Sequence, residues 1–275
     1  MTFKIVADSS SDLLVFDGAY FSSVPLTIMA GERTFVDDAT LNPREMLDYL
    51  ATYKGRSTTA CPNPDTWREA FGEADEVVCV AITSNLSGSC NAAMIAKEDY
   101  LRLHPERKVL VVDSLSTGPE MVLLIEKLAQ WHQEGYTFEA IEKMIAEYQK
   151  TTHLTFALES LRSLVNNGRV SPTVAALAGL LNIRIVGIAS DVGTLQPVSK
   201  CRGEKRTQQG LIDVMKSHGF KGGKVRIAHN NPAMAETMVK LIREIAPDAD
   251  IQVYQARGLV SFYAEDGGIL IGYEG

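Results

Sequence analysis

Cysteine is scarce in this sequence of 275 residues, and its cysteines form no recognisable site. No two have C-x-x-C spacing, and none has a histidine at zinc-binding spacing. A disulfide framework and a zinc site are therefore not expected. We interpret the thiols as reduced, small buried hydrophobic groups in a cytoplasmic protein, although Cys61 and Cys90 lie close to polar motifs described below. The cysteines are Cys61, Cys79, Cys90 and Cys201.

The sequence also lacks long hydrophobic runs and an excess of basic charge. No stretch approaches the roughly 18 apolar residues of a transmembrane helix. The first residues show no basic segment followed by an apolar one, so no signal peptide is expected. Lys and Arg total 27 against 34 for Asp and Glu, which gives a net charge of −7. We expect a cytoplasmic protein with no membrane insertion and no nucleic-acid partner, since an acidic chain is poorly suited to a polyanion.

Nucleotide and metal motifs are absent as well. There is no P-loop, no G-x-G-x-x-G, no H-E-x-x-H and no EF-hand loop. Motifs therefore give no support to ATP or NAD binding, and no metal or cofactor is expected. The remaining composition is ordinary, with 45% hydrophobic, 22% charged and 7% aromatic residues. The length corresponds to about two domains.

Short apolar runs alternate with amphipathic segments along the chain. The runs 77–82 and 109–112 are apolar without alternation, which is typical of parallel strands covered on both faces. The β-α-β-α order predicts a doubly wound parallel sheet in the first domain, and closely spaced later strands predict a mixed sheet with helices in the second. We predict an α/β protein with domains 1–150 and 151–275. The predicted strands are 3–7, 24–28, 76–82, 109–112, 154–158, 184–189, 224–228, 251–254 and 269–273.

Capping residues mark several helix starts and turns. Asn42 and Asn63 each precede a proline, which is typical of an N-cap and the first helical turn. A very apolar helix is predicted for residues 173–181, after Ser-Pro. A meander is predicted over 184–200, and the E-D-G-G segment at 265–268 predicts a turn before the last strand.

Three predicted strands end in small hydroxyl-bearing or acidic residues, in segments 8–12, 83–89 and 113–118. At the carboxyl edge of an open α/β sheet, such segments frame the binding crevice, where helix N-termini favour an anion. Ser, Thr and Asp are also the preferred N-caps, so capping explains any one segment alone. Three together favour a polar site in the crevice.

Ser87 lies between a strand and a helix, as the nucleophile of an α/β-hydrolase does. The surrounding N-L-S-G-S does not match G-x-S-x-G. The five histidines occupy no recognisable triad setting, although a triad is spatial and sequence alone does not exclude it. A hydrolase or acyltransferase that uses Ser87 is therefore kept as an alternative.

Basic residues concentrate in segment 200–206, and a second polar cluster occupies 166–171. A solvated face is the plain interpretation of such runs. The alternative is a docking or phosphate-contacting patch, because arginine is suited to bidentate anion contacts.

In this order, the segments resemble the DegV family of bacterial lipid-binding proteins over essentially the whole chain. No single segment is decisive, but the collinear set at about the family's spacing is specific. The matching segments are 5–12 (I-V-A-D-S-S-S-D), 24–26 (V-P-L), 59–62 (T-A-C-P), 84–89 (S-N-L-S-G-S), 113–114 (D-S), 168–170 (G-R-V), 180–183 (L-L-N-I) and 200–203 (K-C-R-G).

The resemblance implies the two-domain α/β fold of that family, the EDD fold, with a fatty acid in a tunnel between the domains. It implies that hydroxyls of the T-A-C-P and L-S-G segments hold the carboxylate. The corresponding residues are Thr59, Ser87, Gly88 and Ser89. Further candidates for lining the site are Ser9, Ser84, Cys61, Ser114 and Phe262.

The resemblance further implies a role in a two-part fatty acid kinase. The chain is then the fatty-acid-binding subunit, which presents the carboxylate to an ATP-binding partner that makes acyl phosphate. Arg169 of the G-R-V segment and Arg202 of the basic segment are implied in partner engagement or phosphoryl transfer. No catalytic residue is assigned to this chain itself, and a monomer is expected.

Two departures from the family pattern leave alternatives open. Ala60 and Cys61 replace the usual Ser-Gln, which alters the pocket. Ala264 stands where the family has the histidine of H-[TV]-G-P-G, a residue of the phosphoryl-transfer environment. Since lipid binding does not depend on that histidine in the same way, the second hypothesis is a lipid carrier or sensor without a kinase role. The hydrolase that uses Ser87 is the third.

Overall fold

Strands and helices alternate along the chain. The computed structural model describes residues 1–176 and 183–275. The first half contains β1 (Phe3–Asp8), β2 (Phe21–Val24), β3 (Thr27–Ala30), β4 (Arg33–Val36), α1 (Pro43–Thr52), β5 (Ser57–Ala60), α2 (Pro64–Phe71), β6 (Glu76–Ala81), α3 (Ser89–Leu103), β7 (Lys108–Asp113), α4 (Pro119–Gln133) and α5 (Phe138–Tyr148). The second half contains β8 (Thr152–Leu158), α6 (Arg162–Asn166), α7 (Pro172–Ala175), β9 (Arg184–Ala189), β10 (Leu195–Cys201), α8 (Glu204–Ser217), β11 (Lys224–His229), α9 (Pro232–Ile245), β12 (Asp250–Gln255), α10 (Gly258–Ala264) and β13 (Ile269–Glu274).

The first sheet is parallel throughout, with strand order β2-β1-β6-β7. Helices cover both of its faces, which confirms the doubly wound prediction. Along β6, Val77 and Cys79 pack in the cluster formed with α2 and α3, whereas Val78 and Val80 pack in the cluster formed with α4 and α5. The apolar run without alternation therefore arises because both faces of the strand are buried.

The prediction of one strand over residues 24–28 was wrong. Pro25 has no backbone N–H, and the N–H of Leu26 is donated to Ser9 Oγ at 3.0 Å instead of to a strand. The chain therefore leaves the parallel sheet after β2. It then forms β3, the central strand of a small antiparallel sheet with order β4-β3-β5. This second sheet in the first half was not predicted.

The second half forms a six-stranded mixed sheet with order β10-β9-β8-β13-β11-β12. Strands β11 and β12 are parallel, and the other neighbouring pairs are antiparallel. The pairing of β9 with β10 confirms the predicted meander. One face of the sheet packs against α8 and α9. The prediction of a mixed sheet with helices is also confirmed.

Helix α4 lies between the two large sheets. It contacts β1 and β6 of the parallel sheet on one side and β8, β11 and β13 of the mixed sheet on the other. A helix in such a place must be apolar almost all round, and most of α4 is buried. Its partly buried Glu126 forms an ion pair with the buried Arg226 of β11 at 2.6 Å. The two halves of the molecule thus share one interior helix.

Two further expectations concern the chain as a whole. Part of the helix predicted for residues 173–181 lies outside the described residues, and the described part contains α7. The boundary near residue 150 stays a prediction, and the short connection from Tyr148 to Thr152 joins α5 to β8 there. Within the described ranges, no helix combines the length and apolar character needed to cross a bilayer.

Candidate functional site

A cavity of about 310 Å³ lies between the two large sheets. This volume falls within the usual range for small-molecule sites, about 300–1,000 Å³. Its inner wall is hydrophobic and comes from β8, α10, β13 and the residue that follows β6. The inner-wall residues are Leu154, Phe156, Leu158, Leu259, Val260, Leu270 and Ile82. All of them are buried, so this part of the cavity lies inside the molecule.

Much of the polar lining lies at a mouth formed by three loops and α10, and the buried residues Thr83 and Ser116 also line the cavity. Strand β5 brings Thr59 there, one residue before the strand ends, and Cys61 follows the strand. The loop between β6 and α3 contributes Ser87 and Gly88, and a later loop contributes Arg169. Cys61 and Gly88 are exposed, which identifies this side as the opening of the cavity. The cavity therefore combines a largely apolar inner wall with a polar mouth.

Ser87 has a hydroxyl hydrogen that its local contacts leave available. Its Oγ accepts the backbone N–H of Ser89 at 3.2 Å. Helix α3 starts beside it with Gly88 as N-cap, which provides no side-chain acceptor for the first turn. The N-terminus of this 15-residue helix carries a partial positive charge and free N–H groups. The mouth thus combines a hydroxyl donor with an environment that favours an anion.

Thr59 is hydrogen-bonded to a residue that the sequence analysis did not identify. Its Oγ1 lies 2.9 Å from the phenol oxygen of Tyr263 in α10. Burial raises the pKa of Tyr263, and the contact with Thr59 and the charge of Arg169 offset part of that effect. The phenol is therefore protonated at neutral pH and can donate a hydrogen bond.

Arg169 brings a positive charge to the mouth. Its Nε donates to the carbonyl of Leu86 at 2.8 Å, and its Nη1 donates to the carbonyl of Asn167. Gly168, with φ of +68°, makes the turn that precedes it. No ion pair of Arg169 with a carboxylate occurs within residues 1–176 and 183–275. The guanidinium is thus held by carbonyl groups beside Ser87.

The polar side chains in segment 8–12, after β1, make hydrogen bonds within the protein. Asp8 accepts hydrogen bonds from Ser10, from the N–H of Ile82 at 3.0 Å and from Ser89 Oγ at 2.7 Å. Ser9 Oγ accepts the N–H of Leu26. Neither Ser9 nor Ser89 is among the described lining residues of the cavity. The described hydrogen bonds of this segment stay within the protein, and the cap formed by Asp8 fits the capping interpretation.

The remaining candidates are divided between the cavity and its surroundings. Ser84 is exposed and Ser114 donates to the carbonyl of Ser116, and neither is among the described lining residues. Phe262 packs with Ile28 and Met46 and borders a different cavity. Cys61 does line the cavity, although its interpretation as a buried hydrophobe was wrong because it is exposed; the other three cysteines are buried.

The two arginines implied by the resemblance occupy different environments. Arg169 lines the cavity and is half-buried. Arg202 is exposed in the short segment before α8, and it is not among the described lining residues. Ala264, in contrast, is buried and contributes its methyl group to the cavity wall.

A hairpin tip completes the lining, and the sequence analysis missed it. The turn between β9 and β10 brings Gly193 and Thr194 to the cavity. Asn85 Nδ2 donates to the carbonyl of Val192 at 2.6 Å. A Cβ on Gly193 would lie 2.1 Å from Thr83 Oγ1, and φ there is +73°. Only glycine fits this approach, and the D-V-G-T turn at 191–194 was the signal available in the sequence.

The lining does not provide the groups that would activate Ser87 as a nucleophile. Among the described lining residues there is no His, Asp, Glu or Lys. A serine nucleophile needs an adjacent general base. The described residues also contain no cluster of His, Cys, Asp and Glu that could hold a metal ion. The geometry suits binding of an amphipathic anion better than hydrolysis.

Comparisons with known proteins agree with this architecture. Residues 2–274 match the family described as "Uncharacterised protein, DegV family". A DegV domain-containing protein of Streptococcus pneumoniae is 43% identical over 279 residues, covering 100% of this chain and 99% of the relative.

Two solved structures are similar over nearly their full length. One is a DegV family protein from Eubacterium eligens loaded with heptadecanoic acid, with a TM-score of 0.96, 44% identity and 99% of each chain covered. The other is the Streptococcus pneumoniae Fatty Acid Kinase (Fak) B3 protein loaded with linoleic acid, with a TM-score of 0.96, 43% identity, and 100% of this chain and 99% of that one covered. From its fold, its cavity and these matches, the chain belongs to the DegV family.

Proposed function

We propose that this protein binds a long-chain fatty acid in the cavity and presents its carboxylate to an ATP-dependent kinase partner. The observation that carries the proposal is a buried apolar wall that leads to a mouth of hydroxyl donors. Two similar proteins were solved with heptadecanoic and linoleic acid. In this proposal the chain is a cytoplasmic, monomeric binding subunit and has no catalytic residue of its own.

The apolar wall supports an acyl chain as the ligand. Burial of one methylene contributes about 0.8 kcal/mol, whereas association costs about 4–15 kcal/mol. A short acid would therefore bind weakly, and a long chain is needed for tight binding. Leu154, Phe156 and Leu158 supply such a surface from one face of β8.

The mouth supports a carboxylate at the end of that chain. We propose that Thr59 and Ser87 donate hydroxyl hydrogen bonds to it, and that Gly88 and Ser89 contribute through the N-terminus of α3. The Ser89 side chain is bonded to Asp8, so its role would be to fix Ser87 through its backbone N–H. Neutral donors stabilise the anion and leave its oxygens able to react with a phosphoryl donor.

Two observations support the kinase role: the positions of Arg169 and Arg202, and the similarity to a protein of a fatty acid kinase. The similar Streptococcus pneumoniae structure is a Fatty Acid Kinase B3 protein. We propose that Arg169 acts at the mouth, where phosphoryl transfer would occur, and that exposed Arg202 contacts the partner. Replacing Arg202 with Ala should then abolish acyl phosphate formation and leave lipid binding unchanged. Arg206→Ala, in the same basic segment, is the matched control.

Native mass spectrometry of the purified protein tests the binding step. We expect one long-chain fatty acid per chain, identified after denaturation, and acyl phosphate once ATP and a kinase subunit from a DegV-containing bacterium are added. A protein that carries no lipid and does not take up added heptadecanoic or linoleic acid would refute the proposal. Another anionic ligand should then be sought.

One observation favours a second candidate function, a lipid carrier or sensor. Ala264 places a methyl group in the cavity wall, and this group cannot exchange a proton or bind a phosphate. The carrier function predicts bound lipid but no acyl phosphate with any kinase subunit. Substituting Ala264 with His would then be the direct test of whether kinase competence can be added.

A further inference from the structure

We propose that Tyr263 is part of the carboxylate site and sets the direction of the Thr59 hydroxyl. The inference rests on the proposed binding of a fatty acid and adds a residue to that site. None of the polar strand ends contains Tyr263, which lies in α10 next to Ala264.

The first argument is the number of hydrogens that the hydroxyl pair can offer. Thr59 Oγ1 and the Tyr263 oxygen are 2.9 Å apart, so one of them donates to the other. Each hydroxyl has a single hydrogen, and only one of the two therefore remains for a ligand. A carboxylate at the mouth binds the pair as a unit, and the donor orientation of Thr59 depends on Tyr263.

The second argument is that the tyrosine ring is fixed in place. It packs edge-on against Phe262, with ring centroids 4.8 Å apart, and it contacts three separate hydrophobic clusters. A hydroxyl on a ring held this way has a defined position before the ligand arrives. Preorganisation of this kind lowers the entropic cost of binding.

The third argument is the anchoring of α10 itself. Asp37 accepts the backbone N–H groups of Gly258 and Leu259 at 3.0 and 2.9 Å, which holds the first turn of the helix. A Cβ on Gly258 would lie 2.7 Å from the Asp37 carboxyl, so only glycine allows this approach. Tyr263, one turn further on, is thus placed by a buried contact between distant parts of the chain.

The charge at the mouth suits a neutral donor. Arg169 lies close enough to affect the ionisation of Tyr263, and burial keeps the phenol protonated by raising its pKa. A protonated phenol donates to Thr59 Oγ1 and leaves the Thr59 hydrogen for a carboxylate, whereas a phenolate would accept that hydrogen and repel the anion. The Tyr263 hydroxyl and the arginine therefore both favour an anionic head group.

The test compares head groups of the same chain length. Heptadecanoic acid and the straight-chain alcohol of equal length are titrated into the wild-type protein and into Tyr263→Phe, which keeps the ring. We expect the substitution to weaken binding of the acid about 10- to 100-fold, because Thr59 loses the partner that directs its hydrogen toward the charged carboxylate. Binding of the alcohol should change much less. A purely structural role would weaken both equally.

The control is Tyr254→Phe. The Tyr254 hydroxyl is buried, has no hydrogen-bond partner among the described residues and is not in the described lining, so its loss should leave both affinities unchanged. Thr59→Val provides a second probe that does not alter α10. Combined with Tyr263→Phe, it should show coupling, so that the double loss differs from the product of the single losses.

The outcomes separate this inference from the proposed function. If Tyr263→Phe binds the acid as well as the wild-type protein does, the inference is overturned and the proposed function stands. The same holds if the loss of affinity in the double variant equals the product of the losses in Tyr263→Phe and Thr59→Val. A wild-type protein that binds neither ligand would overturn both.

Discussion

Two serine-rich loops follow neighbouring strands of the parallel sheet and use their hydroxyls in opposite ways. After β1, Ser9 and Ser10 are buried and make hydrogen bonds inside the protein. After β6, Ser87 is half-buried at the mouth of the cavity, and its oxygen accepts only a local N–H. The two loops look alike in sequence. The two loops differ in whether their serine hydroxyls already have hydrogen-bond partners inside the protein. Hydroxyls that have such partners stabilise the fold, and a hydroxyl that keeps a free hydrogen can bind a ligand.

Removing Asp8 should have the largest effect, because it is the acceptor on which the first loop depends. Asp8→Ala leaves the N–H of Ile82 and the hydroxyls of Ser10 and Ser89 without their buried acceptor. Each unsatisfied group costs about 1–3 kcal/mol, so we expect a loss of at least about 3 kcal/mol in the free energy of unfolding. Urea denaturation measures it. A stability within 1 kcal/mol of wild type would show that this loop is not structural.

A buried carboxyl group close to the third polar segment, 113–118, gives a test by pH of how buried polar groups affect stability. Glu120, after the loop that follows β7, is buried and accepts from Thr152 Oγ1 at 2.8 Å. Burial raises its pKa to about 7 from an ordinary 4.5. The folded state therefore holds the proton more tightly, and its contribution to stability is present below pH 4.5 and lost as the pH rises through about 7.

The free energy of unfolding should fall by about 3 kcal/mol over this pH range because of Glu120. Glu120→Gln should flatten the pH dependence of stability over that window and raise stability at pH 8 relative to wild type. Parallel curves for the two proteins in chemical denaturation between pH 4.5 and 8 would contradict the raised pKa.

Ser87→Ala should affect binding without affecting stability. A hydrogen bond to a charged group contributes about 1.5–3 kcal/mol, so fatty acid affinity should fall about 10- to 100-fold at an unchanged melting temperature. Ser84→Ala, in the same loop but exposed, is the control and should bind as wild type does. Equal affinity in Ser87→Ala and Ser84→Ala would place the carboxylate elsewhere.

Ser9→Ala should give the reverse result at a smaller magnitude. The N–H of Leu26 loses its acceptor, which should reduce the free energy of unfolding by about 1 kcal/mol. The affinity for heptadecanoic acid should stay the same. A weaker affinity in Ser9→Ala would show that the loop after β1 also takes part in binding, which contradicts the difference between the two loops.

Much of the fold was predictable, because it follows from local patterns. The uninterrupted apolar run along β6 indicated a strand covered on both faces, and the asparagine-proline pairs indicated helix starts. The break between β2 and β3 was missed because Pro25, which cannot donate to a strand ladder, was included in one predicted strand, and because the bond from Leu26 to Ser9 is long-range. The small antiparallel sheet follows from that break and has no strong local signal.

The site was predictable only in part, for a similar reason. Thr59, Ser87 and Arg169 came from motifs that resemble those of a family. Tyr263 and Gly193 reach the cavity because α10 and the β9–β10 turn fold back onto the first half. The D-V-G-T sequence indicates a turn at 191–194, but it does not indicate which part of the chain that turn contacts. For Ser89, the motif predicted a contact with the ligand, whereas its hydroxyl donates a hydrogen bond to the buried carboxylate of Asp8.

The helix shared by both large sheets has a consequence for the rate of ligand exchange. Opening the molecule like a hinge would expose to water the side of α4 that packs against the mixed sheet and pull Arg226 away from Glu126, which is a costly rearrangement. We expect a bound lipid to enter and leave through the mouth by movements of side chains and loops there. Exchange should then be slow compared with diffusion, and a partner that contacts the mouth would control the residence time of the lipid.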